Sequence, residues 1–85
     1  MRIVAFTQKG FEEYNEWFAT NLAIIDRIKI LIRDIDRDSF KGLGKPEPLK
    51  GNWSGYWSRR ITDEHRLVYK VTSEQILIAK CSGHY

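Results

Sequence analysis

Three strand-like segments separated by very short connections constrain this chain more than any other feature. Tyr56 to Ile61, His65 to Val71 and Ile76 to Cys81 are rich in β-branched, aromatic and aliphatic residues, and Thr62-Asp63-Glu64 and Thr72-Ser73-Glu74 lie between them. Connections so short join antiparallel neighbours. With three-residue loops, Arg60 falls opposite Arg66, Ser58 opposite Val68 and, in the second hairpin, Arg66 opposite Lys80. Alternation then gives one face Trp57, Ile61, Leu67, Tyr69, Val71, Leu77, Ala79 and Cys81, a surface that requires a cover. The other face receives Arg60, Arg66 and Lys80 in a row. Like charges directly opposite one another are unfavourable in a sheet. A bound anion relieves them, and phosphate suits arginine forks. The same row also fits arginines splayed into solvent, or paired with Glu47, Asp63 or Glu64.

The cover comes from the first half of the chain. Arg2 to Phe6 reads as a strand, and Thr7 as the N-cap of a helix over Gln8 to Phe18. Phe6 before the cap and Phe11 within the helix have the spacing of a hydrophobic staple. Thr20-Asn21 interrupts the pattern and caps a second helix reaching about Asp36. Ile24, Ile28, Leu31 and Ile35, flanked by Ile25 and Ile32, give it a wide apolar face. Asp34, Asp36 and Asp38, interleaved with Arg33 and Arg37, read as solvated surface rather than a metal site. Strand, two helices and meander make an α+β fold with the helices on one face of a small antiparallel sheet.

The length, 85 residues, fits one domain over residues 1–85, with a core small enough for a partner or a second copy to add stability. Hydrophobic residues at 42% and charged residues at 29% exclude a disordered chain. The single cysteine, Cys81, rules out an intrachain disulfide and fits a reducing compartment. Met1 to Phe6 is too short an apolar run for a signal peptide. Asp26, Arg27, Lys29 and Arg33 interrupt the most apolar stretch, so no membrane span is expected and the location is read as cytoplasmic. Charge is uneven: residues 1–40 hold six Lys/Arg against seven Asp/Glu, and residues 41–85 hold eight against four. The basic half is where a polyanion or an acidic partner docks.

Within that half, Lys41-Gly42-Leu43-Gly44 is a loop lacking the spacing of a phosphate-cradling fingerprint. Pro46 and Pro48 stiffen Glu47 into an extended segment suited to a sheet edge. The last strand delivers His84 beside the cationic row, while His65 reads as a partly buried structural imidazole. A carboxylate, an arginine and a histidine around a phosphodiester suffice to cut RNA without a metal or other cofactor, and Glu47, Arg66 and His84 fit those roles. A base takes the 2′-hydroxyl proton, a guanidinium stabilises charge at phosphorus, and an acid protonates the departing 5′-oxygen. Trp53, Tyr56 and Trp57 are candidates for stacking on bases, although aromatics in small sheets more often form core and Trp57 falls on the helix side.

Gly44-Lys45-Pro46-Glu47-Pro48-Leu49-Lys50, Gly55 to Thr62, Glu64 to Tyr69 and the closing His84-Tyr85 together resemble the Txe/YoeB toxins of the broader RelE-like group. The resemblance is continuous through the C-terminal half and looser through the helices. It implies a RelE-like fold and a ribosome-dependent mRNA endonuclease that cuts in the A site and inhibits translation. It implies Glu47 as general base, Arg66 as phosphate stabiliser and His84 as general acid, supported by Lys50, Arg60 and Tyr85. It also implies a cognate antitoxin whose C-terminal segment wraps the toxin, and the capacity to form homodimers. The departures are Trp53, where a smaller apolar residue is common, and Ser82-Gly83, where bulkier residues occur; Gly83 is expected to loosen His84. Two other function classes fit parts of the pattern: a catalytically silent RNA- or ribosome-binding module of the same fold, and a small interaction protein whose basic face meets an acidic partner. A binder needs the arginines but not the acid–base pair.

Overall fold

The computed structural model describes residues 1–85. Strand β1 (Ile3–Phe6) leads into helices α1 (Gln8–Thr20) and α2 (Leu22–Arg37). Strands β2 (Glu47–Pro48), β3 (Trp57–Arg60), β4 (Arg66–Val71) and β5 (Gln75–Lys80) follow, with a 3-10 turn at Gly51–Trp53 between β2 and β3. The sheet order is β1-β5-β4-β3-β2. Strands β2 to β5 form the expected antiparallel arrangement, and β1 adds a parallel edge beside β5, so the sheet is mixed. The parallel edge is fixed at the β1–α1 junction. There Thr7 donates its N–H to Ile78 O (2.9 Å) and its hydroxyl to Ala79 O (3.1 Å).

Local chemistry sets both helix starts. The Thr7 hydroxyl accepts from Gly10 N–H (3.1 Å), and the Asn21 side chain accepts from Ala23 N–H (3.1 Å). The Phe6 and Phe11 rings meet edge-on at 6.2 Å, which completes the staple. Gly10 lets α1 lie directly on the sheet: a Cβ there would sit 2.4 Å from Ile78 O. Helix α2 buries Ile24, Ile28, Leu31 and Ile35 against Leu67, Tyr69, Ile76, Ile78 and Cys81. Each such buried aliphatic side chain contributes about 1.5–3 kcal/mol.

Two sequence expectations change. The first hairpin has the expected register, with Arg60 opposite Arg66 and Ser58 opposite Val68. The second does not: Val71 pairs with Ile76, Tyr69 with Ile78, and Val68 with Lys80. Its turn is tighter than three residues. The Thr72 hydroxyl accepts from Gln75 N–H (3.0 Å), and Thr72 N–H donates to Gln75 O (2.9 Å), drawing Gln75 into the strand. A bulge between Val68 and Tyr69 then shifts the pairing again, leaving one extra residue on β5. Ile76 and Ile78, rather than Leu77 and Ala79, therefore face the helices, and Ala79 joins a separate cluster with Leu49 and Val68. Lys80 leaves the cationic row and pairs with Glu13 of α1 (3.2 Å).

Asp34 is likewise not solvated surface. It is buried against Arg59, whose side chain is fully buried on the helix side of the sheet. Arg59 satisfies each N–H of its guanidinium: Asp34 and Leu43 O on Nη1, Asp38 O and Lys41 O on Nη2, and the Tyr69 hydroxyl on Nε. Asp34 also accepts from Leu43 N–H (2.8 Å) and pairs with Arg37. Arg37, then the Leu43 N–H and Arg59, hold its carboxyl well below the ordinary carboxylate range against the opposing effect of burial. This network fastens the loop after α2 to β3. Arg60 N–H, bonded to Gly44 O (2.6 Å), extends the attachment to the threshold of β2.

Candidate functional site

The sheet's second face carries no helix. It bears the small cluster of Leu49, Val68 and Ala79, roofed by the half-buried Trp53 and Tyr56, whose rings meet edge-on at 5.2 Å. Glu47 pairs with Ser58 in register, Ser58 alternates with Arg60, and Arg60 pairs with Arg66. The pleat therefore sends Glu47, Arg60 and Arg66 to this face, together with Val68. Glu47 sits on the short edge strand β2, where the missing N–H of Pro48 leaves no ladder bond unmade. Lys50 is exposed at the start of the 3-10 turn just beyond.

The opposed arginines avoid each other without help from carboxylates. Arg66 folds its guanidinium back onto its own hairpin, donating from Nη1 to Thr62 O (2.9 Å) and Asp63 O (3.1 Å). Arg60 is exposed, and neither it nor Arg66 nor Lys50 belongs to any of the ion pairs. Cations held near one another without counter-charges leave this face able to receive an anion.

The chain's end closes over the same face. Cys81 N–H donates to Glu13 Oε1 (2.8 Å), and Trp17 Nε1–H donates to Cys81 O (2.9 Å). Gly83 donates its N–H to His65 Nδ1 (2.8 Å) and accepts from Arg66 N–H (3.0 Å). The Tyr85 hydroxyl then donates to Glu47 Oε1 (2.8 Å). The expectation that Gly83 loosens the tail is thus corrected: its φ of +69° makes a defined reversal, and both its N–H and its carbonyl are hydrogen-bonded. His84 stands exposed between the gripped Gly83 and Tyr85.

Of the residues singled out from sequence, Glu47, Arg60, Arg66 and Tyr85 share this surface, with His84 on the tail that crosses it and Lys50 at its margin. Lys80 is drawn away by Glu13. Trp57 lies on the helix side against Phe40, with ring centroids 4.7 Å apart. Burial, reinforced by nearby Glu13, pushes the Cys81 thiol up to about 12, so it stays protonated and unreactive near neutral pH. No group of three or more His, Cys, Asp or Glu side chains converges to fit a metal ion. No helix is long and apolar enough to cross a membrane.

The sequence reading missed the anchoring residues. Strand alternation already put Arg59 on the face of Trp57 and Ile61, and Asp34 lies three residues after Leu31 on the inward side of α2. Those two spacings were the available signal for the buried pair. For the contact between His65 and Gly83 the sequence offered none, because it depends on where the tail turns.

A family model described as "YoeB-like toxin of bacterial type II toxin-antitoxin system" matches residues 6–85. Toxin YoeB of Streptomyces coelicolor is 55% identical over 82 residues, covering 96% of this chain and 98% of that protein. Among solved structures, a YoeB/ParE toxin from Agrobacterium tumefaciens superposes with a TM-score of 0.94 at 44% identity, covering all of both chains. A YoeB dimer from Staphylococcus aureus gives 0.93 at 42% identity over 99% of this chain and 98% of that one. A YoeB–YefM complex from the same organism gives 0.92 at 43% identity over 100% and 99%.

Proposed function

This chain belongs to the YoeB-like toxin family of bacterial type II toxin–antitoxin systems, and from that premise we propose that it is a ribosome-dependent mRNA endonuclease acting in the ribosomal A site. Residues 1–85 act as one toxin domain. Glu47 takes the proton from a ribose 2′-hydroxyl, and the resulting oxygen attacks the adjacent phosphorus. Arg66 stabilises the charge gathering on the phosphoryl oxygens. His84 returns a proton to the departing 5′-oxygen as the P–O bond breaks, leaving a 2′,3′-cyclic phosphate and a 5′-hydroxyl. DNA offers no 2′-hydroxyl and is not cut. Lys50 and Arg60 hold flanking phosphates, and Tyr85, already on Glu47, orients the carboxylate. No step requires a metal or cofactor.

The observation that carries this reading is the closure of the tail. The hydrogen bond from Tyr85 to Glu47 and the grip on Gly83 bring the chain's last residues across the strands that bear Glu47 and Arg66. A phosphate-binding surface alone has no use for an acid–base pair assembled from opposite ends of the C-terminal half.

The partners follow from the relatives. The Staphylococcus aureus toxin is solved both with YefM and as a dimer. This chain is accordingly proposed to be neutralised by a cognate antitoxin and to be able to pair with a second copy. A protein that acts on translating ribosomes is expected in the cytoplasm.

The test uses purified protein, programmed ribosomes and end-labelled mRNA. Cleavage in the A site is expected, abolished in Glu47→Ala and strongly slowed in His84→Gln, with ribosome affinity of His84→Gln unchanged. Intact mRNA with tight ribosome binding would instead indicate a catalytically silent binding module. A His84→Gln affinity loss matching its rate loss would remove His84 from the role of acid.

A further inference from the structure

We propose that His65 is a positioning residue for cleavage: its imidazole fixes the C-terminal tail so that His84 meets the phosphodiester in one orientation. The proposal rests on the endonuclease reading above and assigns His65 no contact with RNA. Gly83, whose N–H donates to Nδ1 of His65, is the residue immediately before His84, and His65 is the residue immediately before Arg66. Consecutive residues thus grip the two peptide units that flank the Gly83 Cα, His65 taking the Gly83 N–H at 2.8 Å and Arg66 giving an N–H to the Gly83 carbonyl at 3.0 Å. The same two-residue step of the hairpin that presents the Arg66 guanidinium therefore also sets where the acid begins.

The imidazole is itself held firmly enough to act as a fixed point. Its backbone N–H donates to the Thr62 hydroxyl (3.2 Å), and its carbonyl accepts from Ile61 N–H (2.9 Å) and Thr62 N–H (3.2 Å). Its ring is wedged edge-on against Trp17, with centroids 4.9 Å apart at 78°. Trp17 in turn donates to Cys81 O two residues upstream of Gly83. Helix α1 and the β3–β4 connection thus pinch the tail from two directions, at Cys81 and at Gly83.

Such a clasp answers a particular need. Gly83 adopts φ +69°, a conformation that glycine reaches freely, and it has no side chain to hold it there. Without an external partner the residue before the acid would be the loosest joint in the tail, and a small displacement of an acid from its leaving group slows a reaction steeply. Nδ1 accepts the Gly83 proton, so the ring serves in its neutral form with its own proton on Nε2.

Two substitutions separate positioning from packing. His65→Phe keeps a flat ring against Trp17 and removes the acceptor. His65→Asn loses the ring and keeps an oxygen close to the place of Nδ1. Single-turnover and steady-state cleavage on programmed ribosomes, thermal melts, and exchange of the Gly83 amide by NMR are measured for both and for the wild type. Positioning predicts that His65→Phe lowers kcat about tenfold or more with KM unchanged, and that its Gly83 amide exchanges faster. It also predicts that His65→Asn melts lower yet cleaves faster than His65→Phe. The reverse order, with Phe near wild-type rate and Asn slow in step with its lost stability, would make His65 a packing residue and overturn the proposal. A wild-type chain that leaves mRNA whole defeats the endonuclease reading. The clasp then stands or falls on the Gly83 exchange rates alone, a protected amide freed in His65→Phe upholding it and equal exchange in the two chains refuting it.

Discussion

Arg59 and Arg60 are neighbours in the chain and share one strand, yet they have opposite surroundings. Arg59 points to the helix side, is fully buried, and has an acceptor for every guanidinium N–H. Arg60 points to the open side and has no ionic partner. The pleat alone separates them. A buried guanidinium is tolerated only when paired and fully hydrogen-bonded. Arg59 meets that condition by recruiting Asp34 and three loop carbonyls, which makes the arginine a fastener for the segment leading to Glu47. Arg60 is left available to an anion. One face spends its cation on architecture, and the other keeps its cations for binding.

The comparison breaks most sharply if the two arginines are removed in turn. Asp34→Ala leaves the buried Arg59 charge unpaired, and Arg59→Met strips the carbonyls of Asp38, Lys41 and Leu43 of their donor; either is expected to lower stability by about 3–5 kcal/mol. That is a large share of the roughly 5–15 kcal/mol typical of a domain. Urea unfolding measures it. A change in either variant no larger than a surface substitution would mean the pair does not hold the loop.

Acid sharpens the same side of the comparison. The carboxyl of Asp34 titrates lower in the folded chain than in the unfolded one. Its stabilisation is therefore fully present above the unfolded value of about 3.9, and is lost as pH falls from there toward the folded value. Urea midpoints of the wild type should fall over that acid window, and Asp34→Asn, already weaker at pH 7, should lose less there. Parallel acid profiles would show that other carboxylates govern the acid limb.

Arg60→Ala gives the smallest change in stability, within about 0.5 kcal/mol. Its effect belongs to binding: weaker association with programmed ribosomes, and a salt dependence reduced by about one phosphate contact. An Arg60→Ala chain with unaltered salt dependence would mean that Arg60 faces no phosphate.

This pair of arginines also marks how far the sequence could be read. The helices were legible because apolar spacing and caps at Thr7 and Asn21 are local signals, and the first hairpin because its register follows from its connection. The β5 register was not, since it depends on how the Thr72 hydroxyl closes the turn and on the bulge opposite Val68 and Tyr69. Each single-residue shift exchanges the two faces. It moved Ile76 and Ile78 inward and took Lys80 out of the cationic row. The burial of Arg59 was not legible, because an arginine's burial is set by a partner distant in the chain, here Asp34. Glu47, Arg66 and His84 were nameable from residue type and family resemblance. How the tail is held beside them rests on contacts of Gly83 with His65 and Arg66 that no spacing announces.

On the proposed function, the open face becomes a cleaving site only when the tail lies across it. Deleting His84 and Tyr85 tests this most directly, because the tethers of Cys81 and Gly83 lie upstream of the cut. Single-turnover cleavage of mRNA on programmed ribosomes is compared for the truncated and full-length chains, with a thermal melt of each. The truncated chain is expected to melt close to the full-length one and to cleave nothing. A truncated chain that cuts at the full-length rate would place the acid elsewhere and contradict the account.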